Sequence, residues 1–195
     1  MSDDAHLDHV HYQSLVEPDE RSVDGVTVDL IGTDAIDELE PLWTELVHHH
    51  VALNGAIAFR EPDDSWPRLR ALYAEILAGP DAFCLLARRD GRAVGYAIVK
   101  VEGPELVWRT GDKLAELETL SIAEPERGGG LGTHLMDLVE RELAARGIDD
   151  LLIGVESPNL RAQDFYERRG YAHVFTWLYG KPATMRREGG QPEAR

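Results

Sequence analysis

A glycine-dense turn between a strand-like and a helix-like segment constrains the fold of this chain more than any other feature. Residues Arg127–Thr133 read RGGGLGT, follow the apolar stretch Leu120–Ile122 and lead into the periodic apolar segment Leu131–Arg146. A strand, a glycine loop and a helix start in this order form an anion cradle, because glycines let the backbone approach a ligand and the first helical amides lack partners. We therefore expect a phosphate-bearing cofactor at this turn.

The kind of cofactor is narrowed by two patterns that the turn does not match. A mononucleotide P-loop needs Gly-Lys followed by Ser or Thr, but Thr133 follows Gly132 directly. The dinucleotide pattern G-x-G-x-x-G does not match either. ATP and NAD are therefore disfavoured. On these residues alone, a loop that only turns the chain remains an alternative.

A second block of residues lies one helix and one strand downstream. Arg127, Gly130 and Gly132 form the pattern R-x-x-G-x-G, which resembles the acetyl-CoA pyrophosphate loop of the GCN5-related N-acetyltransferase (GNAT) family. The downstream block is similar to the next motif of that family, and the resemblance covers about Phe83 to Tyr179. Two motifs in the right order are more specific than either alone. The second block consists of Asn159, Ala162, Phe165, Tyr166, Gly170 and Tyr171.

Apolar alternation and periodicity predict antiparallel strands first and a strand-helix-strand unit later. This order favours an α/β (α+β) fold with a mixed, mostly antiparallel central sheet flanked by helices on both faces, and the resemblance implies the same GNAT-like architecture. The predicted strands are Val26–Ile31, Phe83–Arg88, Ala93–Val101, Leu114–Ile122, Asp150–Glu156 and Ala172–Tyr179. The predicted helices are Thr33–His50, Ser65–Leu77, Leu131–Arg146 and Leu160–Arg169. Candidate caps of helix starts are Thr33 or Asp34 and Ser65, and candidate helix ends are Gly147 and Gly170.

Length and composition indicate one domain. The 195 residues are 43% hydrophobic, which suffices for one sizeable core. We expect a single acetyltransferase domain over residues 24–186, with poorly ordered polar tails at 1–23 and 187–195.

An acidic, histidine-rich amino terminus and the lack of a long apolar stretch predict a cytoplasmic protein. The single cysteine, Cys84, lies in an apolar run and is expected to be a buried core residue.

The strand before the glycine turn changes phase along its length. Apolar residues are odd-numbered in its first half (Ala115, Leu117) and even-numbered in its second half (Leu120, Ile122). Because a strand keeps a period of two unless a residue is inserted, a β-bulge is expected near Glu118–Leu120. Bulges are common beside active sites.

Acetyl transfer to an amine needs an uncharged amine, stabilisation of the developing oxyanion and a proton for the departing thiolate. Glu116 and Glu118 are equal candidates for the base, because a carboxylate near a partly desolvated slot can accept a proton directly or through water. Both are also consistent with ordinary exposed glutamates. Tyr166 is the candidate acid that the resemblance implies, since a phenol with a pKa of roughly 10 keeps its proton until a thiolate needs it. Packing beside Phe165 is the alternative for Tyr166.

The resemblance also implies which residues bind acetyl-CoA. The main chain of Leu120 and Ile122 would hold the pantetheine arm and polarise the acetyl carbonyl. Asn159 would bond the cofactor arm, although an asparagine there also suits a helix cap. The implied cofactor-binding residues are Leu120, Ile122, Arg127, Gly128, Gly129, Gly130, Leu131, Gly132, Thr133 and Asn159.

The acceptor pocket is expected in the first half of the chain. Adjacent histidines on a helix point in different directions, so the triple histidine predicts a polar helix end or pocket lining rather than a metal site. No metal cofactor is expected. The candidate pocket residues are Trp43, His48, His49, His50, Phe59, Arg60, Glu61 and Trp66.

The charge balance bears on partners and substrates. The formal net charge is −16, from 36 acidic and 20 basic residues, which disfavours nucleic acids and anionic membranes because those partners need basic patches. The negative charge favours a cationic amine as substrate, although acidity also serves solubility.

The expected function is acetyl transfer from acetyl-CoA to a primary amine of a small molecule or peptide, by direct attack in a ternary complex. A non-catalytic acyl-CoA-binding module, or an enzyme that acetylates a protein lysine or N-terminus, stays open, and exposed sheet edges leave room for a homodimer.

Overall fold

Six strands form one sheet in the order of the chain. The computed structural model describes residues 21–181. Within them the first five strands pair antiparallel, and the sixth joins the fifth in parallel. The predicted mixed, mostly antiparallel sheet is therefore confirmed. Its strands are β1 (Ser22–Val23), β2 (Val26–Ile31), β3 (Phe83–Arg89), β4 (Arg92–Glu102), β5 (Leu114–Ile122) and β6 (Asp150–Ile153).

The helices lie at the predicted positions, but the caps predicted for the first two helices are not formed. The predicted first helix begins as a 3-10 helix at Thr33–Leu39, and no side chain caps its start. The predicted cap at Ser65 is wrong, because the second helix begins earlier, at Pro62, where proline suits the first helical position. Ser65 instead donates from Oγ to the Glu61 carbonyl at 3.0 Å. The α-helices are α1 (Glu40–Leu53), α2 (Pro62–Ala78), α3 (Leu131–Ala145) and α4 (Leu160–Arg168).

Two glycines end helices as predicted. Gly147 follows α3 with a φ of 70°, and Gly170 follows α4 with a φ of 94°. Both lie in the left-handed region that glycine adopts without steric cost. None of the helices within residues 21–181 is long and apolar enough to cross a membrane.

The described chain divides into two compact units, of which residues 21–49 and 60–154 form the first and residues 50–59 and 155–181 the second. Neighbouring residues of β4 locate the helices of the first unit. The Tyr96 hydroxyl lies 3.3 Å from that of Tyr73 on α2, whereas a Cβ at Gly95 would meet Leu135 of α3 at 3.4 Å. Because successive strand residues point to opposite faces, α2 and α3 cover opposite faces of the sheet, as predicted.

The hairpin of β3 and β4 supplies much of the core. Asp90 and Gly91 turn it with φ angles of 51° and 75°, the two positive values that a type I′ turn requires. Residues Phe83–Ala87 of β3 are fully buried. Burial raises the pKa of the Cys84 thiol, which is a core residue as predicted.

β5 contains the predicted bulge. Thr119 pairs with Ile98 of β4, and Leu117 pairs with the next residue, Val99, so Glu118 is the extra residue of β5. One inserted residue moves the side chains that follow it to the other phase of the alternation. The phase change in the sequence is thereby explained.

The predicted final strand at Ala172–Tyr179 is wrong, because residues 171–181 adopt no helix or strand. Trp177 and Leu178 are 83% and 93% exposed there. A segment rich in strand-forming residues makes a strand only where a neighbouring strand pairs with it, and β6 has no second partner strand among the described residues. β6 is also shorter than predicted and ends at Ile153, before Gly154, a residue that weakens a strand.

The predicted tails at 1–23 and 187–195 lie outside the described residues, except for residues 21–23. Ser22–Val23, which was expected to belong to the first tail, forms β1 and pairs with the start of β2. This extension adds a short strand to the edge of the sheet.

Candidate active site

The start of α3 is suited to bind an anion. Gly128 and Gly130 have φ angles of 85° and 93°, so the turn passes through a backbone region that side chains rarely adopt. Gly130 precedes the first helical residue, no side chain caps the helix, and no acidic residue stands in the first turn. The first amides of α3 thus lack a side-chain acceptor, and the helix dipole adds partial positive charge at the same end. The predicted anion cradle has the required backbone form.

Arg127 is bonded to groups of the protein itself. Its Nε donates to the Ile122 carbonyl at 2.8 Å, and its Nη2 lies 2.5 Å from Oε1 of Glu45 on α1. The same carboxylate oxygen accepts the main-chain N–H of Glu124 at 2.8 Å. Glu45 therefore holds the loop between β5 and α3 at two points. The predicted role of Arg127 in cofactor binding stays a prediction.

The second half of β5 leaves one edge without a partner strand. β6 pairs only with Leu114–Leu117, so among the described residues no strand pairs with the same edge of Glu118–Ile122. The Ala123 N–H donates to the β4 backbone at 2.9 Å. Because main-chain groups of alternate residues point the same way in an antiparallel pair, Leu120 and Ile122 direct theirs away from β4. Leu120 thus presents unpaired polar backbone at this edge, whereas the Ile122 carbonyl already accepts a hydrogen bond from Arg127.

Glu116 and Glu118 have different surroundings. Glu116 lies 2.8 Å from the ammonium of Lys100 on β4. Glu118, the bulge residue, is half-buried and forms no ion pair within the described part of the chain. Burial raises the pKa of its carboxyl, Lys100 opposes this rise, and Glu116 adds to it. Of the two candidates, Glu118 has the surroundings that a general base requires.

Tyr166 belongs to the second unit, where aromatic rings surround it. Its ring centroid lies 5.1 Å from that of Phe165 and 6.0 Å from that of Tyr171. Burial raises the pKa of its phenol to about 12, against an opposing effect of Arg169. Tyr166 is therefore protonated at neutral pH, as an acid must be. Packing beside Phe165, the alternative weighed from the sequence, is also present.

Asn159 caps α4. Its Oδ1 accepts the Ala162 N–H at 3.1 Å, which is the cap expected as an alternative to a cofactor contact. In the same unit, Nδ2 of Asn54 donates to the Glu156 carboxylate at 2.5 Å. The predicted bond from Asn159 to the cofactor arm stays a prediction.

The candidate acceptor residues have different positions. Trp43 and Trp66 are buried with ring centroids 5.6 Å apart, so they belong to the core of the first unit. His50 packs near the ring of Phe59 at 6.2 Å in the second unit, and His48 is exposed. Within residues 21–181 no three His, Cys, Asp or Glu side chains gather closely enough to hold a metal ion. The exposed residues of this set are His48, Arg60 and Glu61.

Three side chains near these groups were not predicted. Lys100 neutralises Glu116, Glu45 holds the loop before α3, and Tyr73 hydrogen-bonds Thr119 next to the bulge. Each acts on a residue far along the chain. Since no local pattern marks such pairs, the sequence carried no signal for them.

Comparisons with known proteins agree with this geometry. Residues 43–171 match the model of the acetyltransferase (GNAT) family. A mycothiol acetyltransferase of Streptomyces avermitilis is 31% identical over 160 residues, which are 81% of this chain and 46% of that protein. The chain thus spans about half the length of the curated relatives that it matches.

Solved structures show the same fold. A GCN5-related N-acetyltransferase from Ralstonia eutropha is similar with a TM-score of 0.65 and 18% identity, over 81% of this chain and 99% of that one. An aminoglycoside N-acetyltransferase in complex with CoA is similar with a TM-score of 0.61 and 16% identity, over 80% of this chain and 93% of that one. At these identities the similarity establishes the fold alone.

Proposed function

Since this chain belongs to the acetyltransferase (GNAT) family, we propose that it transfers an acetyl group from acetyl-CoA to a primary amine of a small molecule or peptide. The amine nitrogen attacks the thioester carbonyl while both substrates are bound. The C–N bond forms, the C–S bond breaks, the amine loses a proton to a base, and the CoA thiolate gains one. The single observation that carries the proposal is the uncapped start of α3 beside the unpaired edge of β5.

Acetyl-CoA is the donor that suits this arrangement. A diphosphate needs hydrogen-bond donors and positive potential, which the uncapped amides and the dipole of α3 supply. An amide-containing arm needs an extended backbone with unpaired N–H and C=O groups, as β5 offers at Leu120. The CoA bound to the aminoglycoside N-acetyltransferase of the same fold supports this choice. The predicted set Arg127, Gly128, Gly129, Gly130, Leu131, Gly132, Thr133, Ile122 and Asn159 is proposed to complete this site.

Glu118 is the base in this proposal. Its raised pKa makes the carboxylate a better proton acceptor, and it carries no cation that would have to be displaced. Glu116 is engaged by Lys100 and has an electrostatic role instead. Tyr166 is the acid that protonates the thiolate, and its protonated state at neutral pH supports this role.

Small amines are the acceptors that the comparisons favour. The relative from Streptomyces avermitilis, of which this chain matches 46%, is named for mycothiol, and a protein of the same fold is named for aminoglycosides. The net charge of −16 supports a cationic acceptor. A non-catalytic acyl-CoA-binding module is the second candidate. The hydrogen bonds of Glu45 and Arg127 that hold the loop favour it, and the half-buried Glu118, which forms no ion pair among the described residues, opposes it.

The test is calorimetric titration with acetyl-CoA, followed by thiol release with a panel of small primary amines and lysine peptides. We expect acetyl-CoA to bind with micromolar affinity and ATP and NAD not to bind. Gly132→Val is expected to abolish binding with the fold intact. A Cβ at Gly132 meets only a side-chain atom of Ile122 at 3.8 Å, so the protein itself can accommodate it. The added side chain would instead block the close approach of a ligand to the backbone.

Gly103→Ala is the matched control, because a Cβ there contacts nothing within 4 Å and lies outside the site. Equal acetyl-CoA affinity of wild type and Gly132→Val would overturn the loop assignment. Binding without thiol release for any amine would favour the non-catalytic module. In the same assay Tyr166→Phe should lower turnover at unchanged affinity, and a wild-type rate would assign the proton to another group or to water.

A further inference from the structure

Two buried tyrosine hydroxyls meet the hydroxyl of half-buried Thr119 on β5. The Tyr73 hydroxyl on α2 lies 2.7 Å from Oγ1 of Thr119 on β5 and 3.3 Å from the Tyr96 hydroxyl on β4. Both tyrosines have no exposed surface, and burial raises the pKa of each phenol. The cluster therefore stays protonated and polar inside an apolar core.

This cluster connects with β5 at one particular residue. Thr119 follows the bulge residue Glu118 and is the first residue of β5 to resume pairing with β4. A bulge interrupts the regular ladder of hydrogen bonds, so the backbone around it is less constrained than the rest of the strand. The bond from Tyr73 fixes the side chain of Thr119 where that constraint is weakest.

The aromatic rings alone would be sufficient to fill this space. Tyr73 packs edge-on between Trp66 and Tyr96, with ring centroids 6.4 Å from each. A phenylalanine would keep these contacts and need no hydrogen-bond partner. The Tyr73 hydroxyl adds a hydrogen bond to Thr119 and little volume, so its role is to orient the Thr119 side chain.

We propose that Tyr73 is a positioning residue, whose bond to Thr119 fixes the bulge of β5 and keeps the Glu118 carboxylate in its half-buried place. This inference rests on the proposed function, in which Glu118 is the base. The charged and titratable groups that act on Glu118 are Lys100 of β4 and Glu116 of β5, and Tyr73 of α2 senses the charge of Glu118 in turn. If the bulge were released, Glu118 would gain water and lose the surroundings that favour proton uptake.

The kinetic test compares variants that remove or restore the bond. Tyr73→Phe and Thr119→Val each delete one hydroxyl with little change in shape, and we expect each to lower kcat about ten- to hundredfold. The KM for acetyl-CoA should stay within about twofold, because the loop before α3 is held separately by Glu45. Thr119→Ser keeps the hydroxyl and should restore kcat. The double variant should be no slower than the slower single variant.

Tyr96→Phe is the matched control for the loss of a buried hydroxyl. It leaves the 2.7 Å bond between Tyr73 and Thr119 in place and removes only the contacts of the Tyr96 hydroxyl with Tyr73 and Thr119, so kcat should fall much less than in Tyr73→Phe. An equal fall in kcat for Tyr96→Phe, or a wild-type kcat for Tyr73→Phe, would overturn the proposal.

A second measurement does not depend on turnover. The pKa of the Glu118 carboxyl is followed by its carbon chemical shift and assigned with Glu118→Gln. If Tyr73 positions Glu118, this pKa falls toward its ordinary value in Tyr73→Phe and is retained in Thr119→Ser. A pKa that stays or rises in Tyr73→Phe would contradict the inference. If the wild type transfers no acetyl group, the proposed function fails, and the chemical-shift titration still decides the role of Tyr73.

Discussion

The two halves of β5 differ in how their backbone is paired, and the glutamates on the two halves have different surroundings. Before the bulge, Leu114–Leu117 pairs with β4 on one side and with β6 on the other. After it, residues 119–122 pair only with β4 within the described part of the chain. Glu116, in the first half, faces Lys100 at 2.8 Å, whereas Glu118 is half-buried and forms no ion pair within the described chain. One inserted residue thus places two glutamates, two positions apart, in different surroundings.

The largest expected effect comes from the glutamate at the bulge. Glu118→Gln removes the proposed base with little change in size, and we expect kcat to fall about a hundredfold or more. Because burial raises the pKa of Glu118, the wild-type kcat/KM should decline as the pH is lowered through that raised value, when the carboxylate takes up a proton. The variant should lack this decline. The measurement is kcat/KM against pH for both proteins.

A wild-type pH profile in Glu118→Gln would contradict this assignment. The acidic decline would then belong to another group or to the acceptor amine, and the second half of β5 would serve only to bind the donor. Acetyl-CoA affinity is the internal control, since the cradle at α3 does not involve the Glu118 side chain.

An intermediate effect on stability is expected where β4 faces the second half of β5. A Cβ at Gly95 would lie 2.8 Å from the Ile122 side chain and 3.1 Å from the Ser121 carbonyl, which is backbone and cannot move freely. Gly95→Ala should therefore lower the free energy of unfolding by about 1–3 kcal/mol. The measurement is urea unfolding, with Gly103→Ala as the control in open space. An unchanged urea midpoint for Gly95→Ala would mean that the backbone of this half of the strand pair shifts to accommodate the added Cβ at little cost in stability.

The features of β5 that depend on neighbouring residues could be predicted from the sequence. The bounds of β5, the phase change at its bulge and the glycine turn after it are all recorded in neighbouring residues, because strand alternation and glycine backbone freedom act locally. The helix start at Pro62 was missed because proline at the first helical position outweighed a serine cap.

The parts that could not be predicted depend on residues far apart in the chain. Glu45 and Arg127 are 82 residues apart, and Tyr73 and Thr119 are 46 apart. Each pair forms only after the sheet has brought its elements together. The residues Ala172–Tyr179 are rich in strand-forming apolar side chains but adopt no strand, which shows that composition alone does not make one.

Replacement of Glu116, the glutamate before the bulge, should change activity and stability least. Glu116 and Lys100 are 40% and 28% exposed, and a pair with this exposure contributes about 0–1 kcal/mol to stability. Glu116→Gln should leave kcat within about threefold of the wild type, because Glu116 acts on Glu118 only through its charge. Loss of that charge removes one of the causes that raise the pKa of Glu118, so the acidic decline of kcat/KM should move to lower pH.

Lys100→Met tests the same pair from the other strand. Lys100 lowers the pKa of Glu118, so its removal should move the acidic decline to higher pH, opposite to the shift in Glu116→Gln. Two small shifts of opposite sign would identify Glu118 as the titrating group that both neighbours influence. A fall in kcat for Glu116→Gln as large as that for Glu118→Gln would reverse the assignment, and the paired half of β5 would then carry the base.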